Sequence, residues 1–297
     1  MTELLLGAPV AERLDRSTRD VLRTVPPGTE GPCLASVHRG LEGPFRRYLR
    51  GQRKAAEALG LRFREEVLDP LDGPAGLVAR VRALDQDASV HGVLVEHPLP
   101  PPYDFAAAIG QLRAEKDVDG VGTENLGRLL TGRPGHAPAV CLAALAVARH
   151  YQLPVEGNTV AVVGRSGTVG LPLALLLTRR TPGPNATVTV AHSKTPDLAR
   201  ALSAAHTIFS CAGSPHLLTR AVVPEGAAVV DIGLASLADP SRPGGARMVG
   251  DADPESLEGW ASALSPVPGG VGPVTVAHLM WNTVTAWQMQ TRPGAQP

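Results

Sequence analysis

The segment VAVVGRSGTVGLPLALLL, residues 160–177, constrains the fold more than any other part of this chain. An apolar strand pattern runs into Gly164, Gly167 and Gly170, and an apolar helix pattern follows at once. Glycines let the backbone turn tightly and approach a pyrophosphate, whose charge is favoured by the amino terminus of a helix. The strand before and the helix after provide the context that a glycine pattern alone lacks. The segment predicts a dinucleotide-binding unit, with a purely structural turn as the alternative.

The next strand pattern, ATVTVA, ends at His192, Ser193 and Lys194. An NAD enzyme usually places an acidic residue at this strand end, where it binds the ribose 2′-hydroxyl. No Asp or Glu occurs here, whereas a lysine and a hydroxyl suit a 2′-phosphate. Arg165 and Ser166 in the glycine turn are further candidates to bind that phosphate. The pattern favours NADP over NAD, unless Lys194 is only a solvated surface charge.

Most of the chain alternates helical and extended patterns, which is typical of a parallel α/β sheet. The first series predicts helices over 8–24, 44–59 and 73–85, and strands over 31–37, 62–67 and 91–96. An alanine-rich helix over 140–152 is expected to join two domains, and a helix over 274–289 closes the chain. No fixed repeat period occurs, which argues against a solenoid.

Composition narrows the class of partner. A chain of 297 residues with 43% hydrophobic content fits two ordinary domains. Charges balance at 28 against 28 and no basic block stands out, so neither nucleic acid nor an anionic membrane is expected to bind. The apolar stretches are too short to span a bilayer, and the start lacks the pattern of a signal peptide, so we expect a cytoplasmic protein.

The cysteines and histidines indicate neither a nucleophile nor a metal. Cys33, Cys141 and Cys211 are odd in number and widely spaced, which is typical of small buried apolar residues. None of the nine histidines lies in a metal-binding spacing, so we expect no metal.

Two polar positions stand out in the first series. Tyr48 and Gln52 share the apolar face of the predicted helix 44–59, one turn apart. Glu96 follows the strand GVLV, at the strand end where open α/β sheets bind ligands. A buried polar side chain needs a partner, so these residues indicate either a ligand or an interior contact within the fold.

Two loops carry the remaining signals. Asp117 and Asp119 lie in EKDVDG, where turn-forming aspartates are the default interpretation; a calcium loop is excluded because Arg128 takes the position of the bidentate Glu. The segment PVPGGVGP, residues 266–273, combines stiff prolines with permissive glycines. It is suited to wrapping backbone around a flat ligand.

Taken together, these segments resemble the bifunctional methylenetetrahydrofolate dehydrogenase/methenyltetrahydrofolate cyclohydrolase family. The matching pieces occur in family order and cover nearly the whole chain. They are YLRGQRKAAEALGL, GVLVEHPLP, KDVDG, ENLGRL, VVGRSGTVGLPLALLL, ATVTVAHSKT, VVDIGL, GD(A)D, and PVPGGVGPVT followed by NTV.

The resemblance implies a two-domain α/β protein that binds a folate substrate and NADP and forms a homodimer. Its folate-binding domain would comprise residues 1–140 and 272–297, with a Rossmann-type domain over 141–271 and an active-site cleft between them. The final helix would return to the first domain.

The resemblance also assigns residues by position. Tyr48 matches the tyrosine that stacks on the aminobenzoate ring of folate, and Asp119 matches the aspartate that recognises the pterin. The matching pocket loop comprises Pro268, Gly269 and Gly270. The matching cofactor contacts are Gly164, Arg165, Ser166, Gly170, His192 and Ser193. Lys194, Ile232 and Thr275 are further candidates for cofactor binding.

Four departures from the family pattern surround the reacting centre. The family has lysine where this chain has Gln52, and glutamine where it has Glu96. Phe45 replaces a serine, and PAVC, residues 138–141, replaces PCTP. The side chains around the reacting centre therefore differ from those of the family.

These departures predict which activity is retained. Cyclohydrolase chemistry needs a group that handles protons while water adds to the methenyl carbon, and an amide cannot replace an amine in that role. Hydride transfer needs positioning and stabilisation of a cation, for which the Glu96 carboxylate is suited. We therefore predict NADP-dependent oxidation of 5,10-methylenetetrahydrofolate, with Tyr48, Gln52 and Glu96 as catalytic residues and hydrolysis lost or weak. Two alternatives stay open: an oxidoreductase of another C–N centre, and a non-catalytic folate- or nucleotide-binding protein.

Overall fold

The computed structural model describes residues 1–25, 28–40, 43–69, 71–180, 183–239, 241 and 246–291, with backbone only at 43–45. The chain forms two compact units. The six-stranded unit contains Met1–Ala11 and Val140–Thr275, and the three-stranded unit contains Glu12–Ala139 and Val276–Pro297.

The helices and strands follow one another in an alternating order. In the first half they are β1 (Glu3–Leu4), α1 (Ala8–Arg23), β2 (Cys33–His38), α2 (Gly43–Leu59), β3 (Arg62–Val67), α3 (Gly73–Gln86), β4 (Gly92–Val95), α4 (Phe105–Ile109), α5 (Thr123–Thr131) and α6 (Ala139–His150). In the second half they are β5 (Thr159–Val163), α7 (Gly170–Thr178), β6 (Thr187–Ala191), α8 (Leu198–Leu202), β7 (Thr207–Ser210), β8 (Ala228–Asp231), β9 (Ala235–Ala238), β10 (Ala246–Val249), α9 (Pro254–Leu257), β11 (Ala263–Leu264) and α10 (Val271–Thr291).

In the three-stranded unit, β2 lies between β3 and β4, and both pairings are parallel. Side chains of a strand alternate between its two faces, and every residue of β2 is buried, so both faces of the sheet are covered. One face carries Cys33, Ala35 and Val37 in a core with α3 and α4. The other carries Leu34, in a core with α2 and α10.

In the six-stranded unit, the strand order is β1-β11-β8-β7-β5-β6 and every pairing is parallel. The central strands β5, β7 and β8 are short apolar runs, as expected where helices cover both faces of a sheet. β9 and β10 form a separate antiparallel pair.

The predicted fold class is confirmed, and residues 276–291 of α10 belong to the three-stranded unit as expected. Two details differ. Residues 1–11 join the six-stranded unit because β1 pairs with β11. Helix α10 begins at Val271 rather than near residue 274, since Pro273 fits the first turn of a helix, where backbone donors need no partner. Across the described ranges, no helix is both long and apolar enough to cross a membrane.

Candidate active site

A polar cluster interrupts the apolar contact between α2 and the three-stranded sheet. Leu49, Gln52, Ala56 and Leu59 are the buried stripe of α2, and Gln52 has no exposed surface. Tyr48 lies one helical turn before Gln52 and is partly buried. The helix therefore presents one amide among apolar side chains.

The Gln52 amide forms a hydrogen bond with Glu96. The Gln52 Nε2 donates to Glu96 Oε1 at 2.7 Å, and the Ser36 hydroxyl donates to the same oxygen at 3.0 Å. Ser36 lies on β2, and Glu96 directly follows β4. The Gln52 Oε1 is buried and has no hydrogen-bond partner among the described residues. A buried unpaired acceptor is costly, so a ligand that donates a hydrogen bond here would gain binding energy.

Burial shifts the ionisation of this cluster. It raises the pKa of Glu96, and the hydrogen bonds from Gln52 and Ser36 and the charge of His38 oppose that rise. It also raises the pKa of Tyr48 well above its usual range; the Glu96 and Asp119 carboxylates add to the rise, and Gln52 partly opposes it. Tyr48 therefore stays neutral, and the charge of the cluster resides on its carboxylates.

The two aspartates of the KDVDG segment have different roles. Asp117 is buried, and its carboxylate accepts the backbone amides of Gly120, Val121 and Gly122 and the Asn125 amide, so it forms the turn. Asp119 is partly buried, and burial, Asp117 and Glu96 raise its pKa to about 7. Because strongly shifted pKa values are common at functional sites, Asp119 is a candidate for binding the substrate.

In the six-stranded unit, the glycine turn joins β5 to α7. A side chain at Gly170 would lie 2.4 Å from the Gly164 carbonyl oxygen, and one at Gly164 would lie 2.7 Å from the Cys211 Sγ, so both positions require glycine. A side chain at Gly167 would meet open space. Ser166 Oγ accepts the amides of Val169 and Gly170, which caps α7. The turn thus leaves room at Gly167 for a ligand to approach the backbone.

The loop after β6 is a tight turn at the same sheet end. Thr195 Oγ1 accepts the His192 amide at 2.9 Å, and His192 Nδ1 accepts the Lys194 amide at 3.1 Å. Ser193, Lys194 and Arg165 are exposed. A hydroxyl and two cations are therefore available to an anionic ligand at the ends of β5 and β6.

The other predicted cofactor and loop residues lie elsewhere in the same unit. Ile232 is partly buried just after β8, and Thr275 is buried in α10. The Gly269 carbonyl accepts the Gly7 amide at 2.9 Å, and a side chain at Gly270 would lie 2.8 Å from the Pro266 oxygen. Pro268 is exposed.

Two buried carboxylates that we did not predict hold the loops of this sheet end. Asp251 accepts the Ser210 hydroxyl and the amides of Ala212 and Ser214, each at 2.7 Å. Asp231 accepts the amides of Gly233 and Ala252, and burial raises its pKa to about 7. The nearby Cys211 thiol has its pKa raised to about 12, mainly by burial, which excludes a reactive thiolate.

The structure thus brings together Tyr48, Gln52, Glu96 and Asp119 in one unit. It also adds Ser36 and His38, which sequence reasoning missed; the signal was two polar residues in the otherwise apolar strand CLASVH. The Phe45 side chain lies outside the described part of the chain.

A parallel sheet with a glycine turn before a helix, in a chain that also forms a second α/β unit with a buried carboxylate and amide, is typical of a two-domain NAD(P)-dependent oxidoreductase. Comparisons with known proteins specify the family. Residues 5–119 match the catalytic domain of tetrahydrofolate dehydrogenase/cyclohydrolase, and residues 138–291 match the NAD(P)-binding domain of the same family. The chain belongs to this family.

Individual relatives are similar to this chain over nearly its whole length. The bifunctional protein FolD of Roseiflexus sp. is 39% identical over 292 residues, which is 98% of each chain. The FolD protein of Thermus thermophilus is 41% identical over 285 residues, covering 96% of this chain and 95% of the relative. The Trypanosoma brucei methylenetetrahydrofolate dehydrogenase-cyclohydrolase, solved with NADP and an inhibitor, superposes with a TM-score of 0.90 at 34% identity, covering 98% of this chain and 99% of that one. The predicted family and the predicted type of enzyme are confirmed.

Proposed function

We propose that this chain oxidises 5,10-methylenetetrahydrofolate to 5,10-methenyltetrahydrofolate with NADP and that its cyclohydrolase activity is lost or weak. The observation that carries the proposal is the 2.7 Å hydrogen bond from Gln52 to Glu96. Among the described residues, the side chains hydrogen-bonded to Glu96 are the Gln52 amide and the Ser36 hydroxyl, so this group of side chains offers a carboxylate and an amide carbonyl but no amine. We further propose that Gln52 stands at the position of the family's catalytic lysine.

This pair of side chains suits one half of the family's chemistry. Oxidation removes a hydride from the methylene carbon and leaves a cation shared between two nitrogens, which the Glu96 carboxylate stabilises. Hydrolysis adds water to that cation and releases a proton. The Gln52 amide accepts no proton near neutral pH, and its Nε2 is already committed to Glu96.

The nucleotide half of the proposal rests on the glycine turn. Open space at Gly167 fits a pyrophosphate, and the exposed Ser193, Lys194 and Arg165 fit a 2′-phosphate. We assign the remaining contacts to His192, Ile232 and Thr275. When bound, NADP accepts the hydride.

The folate half is assigned to the three-stranded unit and to one loop. Tyr48 would stack on the aminobenzoate ring, and Asp119 would accept hydrogen bonds from the pterin. Pro268, Gly269 and Gly270 are assigned to the pocket loop that the family resemblance implies.

The proposal includes the wider organisation that the family resemblance implies. The folate-binding domain is assigned to residues 1–140 and 272–297 and the nucleotide-binding domain to residues 141–271, except that residues 1–11 belong to the six-stranded unit. A cytoplasmic homodimer is expected. Light scattering measures the molar mass in solution. For a chain of 30.9 kDa, a homodimer would give about twice that mass.

Turnover with matched cofactors tests the proposed activity. Purified protein with methylenetetrahydrofolate and NADP should raise the absorbance of the methenyl product, and NAD should be the poorer oxidant. Binding of folate and NADP without turnover would favour the non-catalytic alternative. Turnover of another imine with no competition by folate would favour the repurposed oxidoreductase.

A further inference from the structure

Three neighbouring strands of the six-stranded sheet end at the same level. Val163 of β5 is paired with Ser210 of β7, and Ser210 is paired with Asp231 of β8. Each of these residues is the last of its strand. The loops that follow therefore leave the sheet side by side, at the carboxyl ends where open α/β sheets bind ligands.

A buried carboxylate holds the loop after β7, residues 211–214. Asp251 has no exposed surface, and its Oδ2 accepts the Ser210 hydroxyl and the Ala212 amide, both at 2.7 Å. Its Oδ1 accepts the Ser214 amide, also at 2.7 Å. One side chain thus fixes both the beginning and the end of this loop.

Asp231 makes the reciprocal connection from the end of β8. Its two carboxylate oxygens accept the amides of Gly233 and Ala252, each at 2.8 Å. A side chain at Gly250 would overlap Asp231 Oδ2, and one at Gly233 would overlap the Asp251 carboxylate. Both positions therefore require glycine, because the two carboxylates lie directly against the backbone. The segment 250–252 and the loops after β7 and β8 are joined into one assembly.

The loop after β7 is exposed to solvent and also packs against the glycine turn. Residues 212–214 are exposed, although the amides of the first and last of them are bonded to a buried carboxylate. A side chain at Gly164 would lie 2.7 Å from the Cys211 carbonyl oxygen, so the two backbones are in close contact. The loop is thus open to a ligand and adjoins the turn to which we assign the pyrophosphate.

The strand order indicates which part of the cofactor these loops receive. Along the sheet, β6 lies on one side of β5, and β7 and β8 lie on the other. A dinucleotide binds across such a reversal of strand order, with one half on each side. The loop after β6, with Ser193 and Lys194, is assigned to the 2′-phosphate and so to the adenosine half. The loops after β7 and β8 are then left for the nicotinamide half.

We propose that Asp251, together with Asp231, is a positioning residue for NADP that holds the loops after β7 and β8 in the shape that receives the nicotinamide half. The inference rests on the NADP site of the proposed function and adds two residues that do not themselves contact the cofactor. A loop that is already fixed loses little conformational freedom on binding, so more of its contact energy appears as affinity.

The variant Asp251→Asn tests the proposal with two ligands. It keeps the shape of the side chain but replaces one acceptor oxygen with an NH2 group, so one backbone amide of the loop loses its acceptor. We expect the Kd for NADP, measured by calorimetry, to rise roughly tenfold. The Kd for adenosine 2′,5′-bisphosphate, which lacks the nicotinamide half, should stay within about twofold of wild type. An equal loss of affinity for both ligands, or no loss for NADP, overturns the proposal.

Asp253→Ala is the control for a general loss of stability. Asp253 lies two residues after Asp251, and its carboxylate accepts the amides of Glu255 and Ser256 and caps α9. Removing this cap should lower the stability of the protein and leave both Kd values unchanged. If Asp253→Ala raises the Kd for NADP as much as Asp251→Asn does, the effect is one of stability and the proposal is overturned.

Hydrogen exchange of the wild-type protein gives a second test that needs no variant. Because the amides of Ala212 and Ser214 are bonded to Asp251, they should exchange far more slowly than in an unfolded peptide before any nucleotide is added. Addition of NADP should change their exchange little. Fast exchange that becomes slow only with NADP would overturn the proposal, because the cofactor would then be what orders the loop.

The binding data separate this inference from the function on which it rests. Wild-type protein that binds neither NADP nor the bisphosphate overturns the nucleotide site of the proposed function, and this inference with it. Wild-type protein that binds both ligands, with equal losses in Asp251→Asn, overturns this inference alone.

Discussion

At the scale of single residues, the identity of two side chains decides which chemistry the buried centre can perform. Gln52 is completely buried, yet it carries no group that titrates near neutral pH. Glu96 carries a negative charge that burial disfavours and that the donors Gln52 and Ser36 stabilise. We therefore propose that the centre stabilises a cation and does not transfer a proton.

Exchanging the pair should raise the cyclohydrolase activity that we propose is lost or weak. The double variant Gln52→Lys, Glu96→Gln places an amine beside an amide in the same buried position. If the site binds folate, we expect the variant to hydrolyse methenyltetrahydrofolate faster than wild type, measured as enzyme-dependent loss of methenyl absorbance. The single variant Glu96→Gln is the control, since it removes the carboxylate without adding an amine. Measured folate binding with no gain in hydrolysis would count against the assignment of these two residues.

Asp119 should make folate binding depend on pH. Its pKa is about 7, raised by burial and then by the carboxylates of Asp117 and Glu96. The side chain is thus ionised above that value and protonated below it, so affinity for the amino groups of a pterin should be full at pH 8.5 and fall towards pH 6. Calorimetric titration with a folate analogue measures the trend. Asp119→Asn should bind weakly and show little pH dependence; a variant that keeps the wild-type profile would show that another group is responsible.

At the scale of elements, substitutions at two glycines of the β5–α7 turn should have different effects, one on the stability of the fold and the other on NADP binding. Gly170→Ala would place a methyl group 2.4 Å from the Gly164 oxygen, and the backbone would have to move. We expect a loss of roughly 2 kcal/mol or more in the free energy of unfolding, measured by denaturant titration.

Gly167→Ala is the matched control for that substitution. Its added methyl group meets open space, so the free energy of unfolding should stay within about 0.5 kcal/mol of wild type. Affinity for NADP should nevertheless fall, by roughly tenfold or about 1.4 kcal/mol, because the methyl group occupies the approach of the pyrophosphate. Equal stability losses in both variants would contradict the close contact at Gly170, and unchanged NADP affinity in Gly167→Ala would place the phosphate elsewhere.

The elements with strong local patterns were predictable from the sequence. β3 occupies the predicted residues 62–67, and α2 begins one residue before the predicted start. The short strands β1 and β11 were not predicted, because each has two residues and forms only through parallel pairing with distant parts of the chain. Helix α10 begins earlier than predicted, because the glycines and prolines of PVPGGVGP favour irregular backbone, whereas the last three residues of that segment are already helical.

At the scale of the whole molecule, the candidate residues were predictable but their partners were not. Helical spacing placed Gln52 on the buried face of α2, and strand order placed Glu96 at the end of β4. Ser36 contacts Glu96, and His38 contacts Glu65, only because β3, β2 and β4 are aligned in one register, which no local pattern specifies. The family resemblance supplied roles for single positions, whereas the polar network that connects them required the fold.

The central claim, oxidation without hydrolysis, is tested most directly by following both products of one reaction. Wild-type protein is mixed with methylenetetrahydrofolate and NADP, and NADPH and methenyltetrahydrofolate are measured together over time. We predict one methenyl group for each NADPH, followed by methenyl loss no faster than in a protein-free solution. Methenyl loss that accelerates in proportion to protein concentration would contradict the account, because it would show that the Gln52–Glu96 centre still hydrolyses its product.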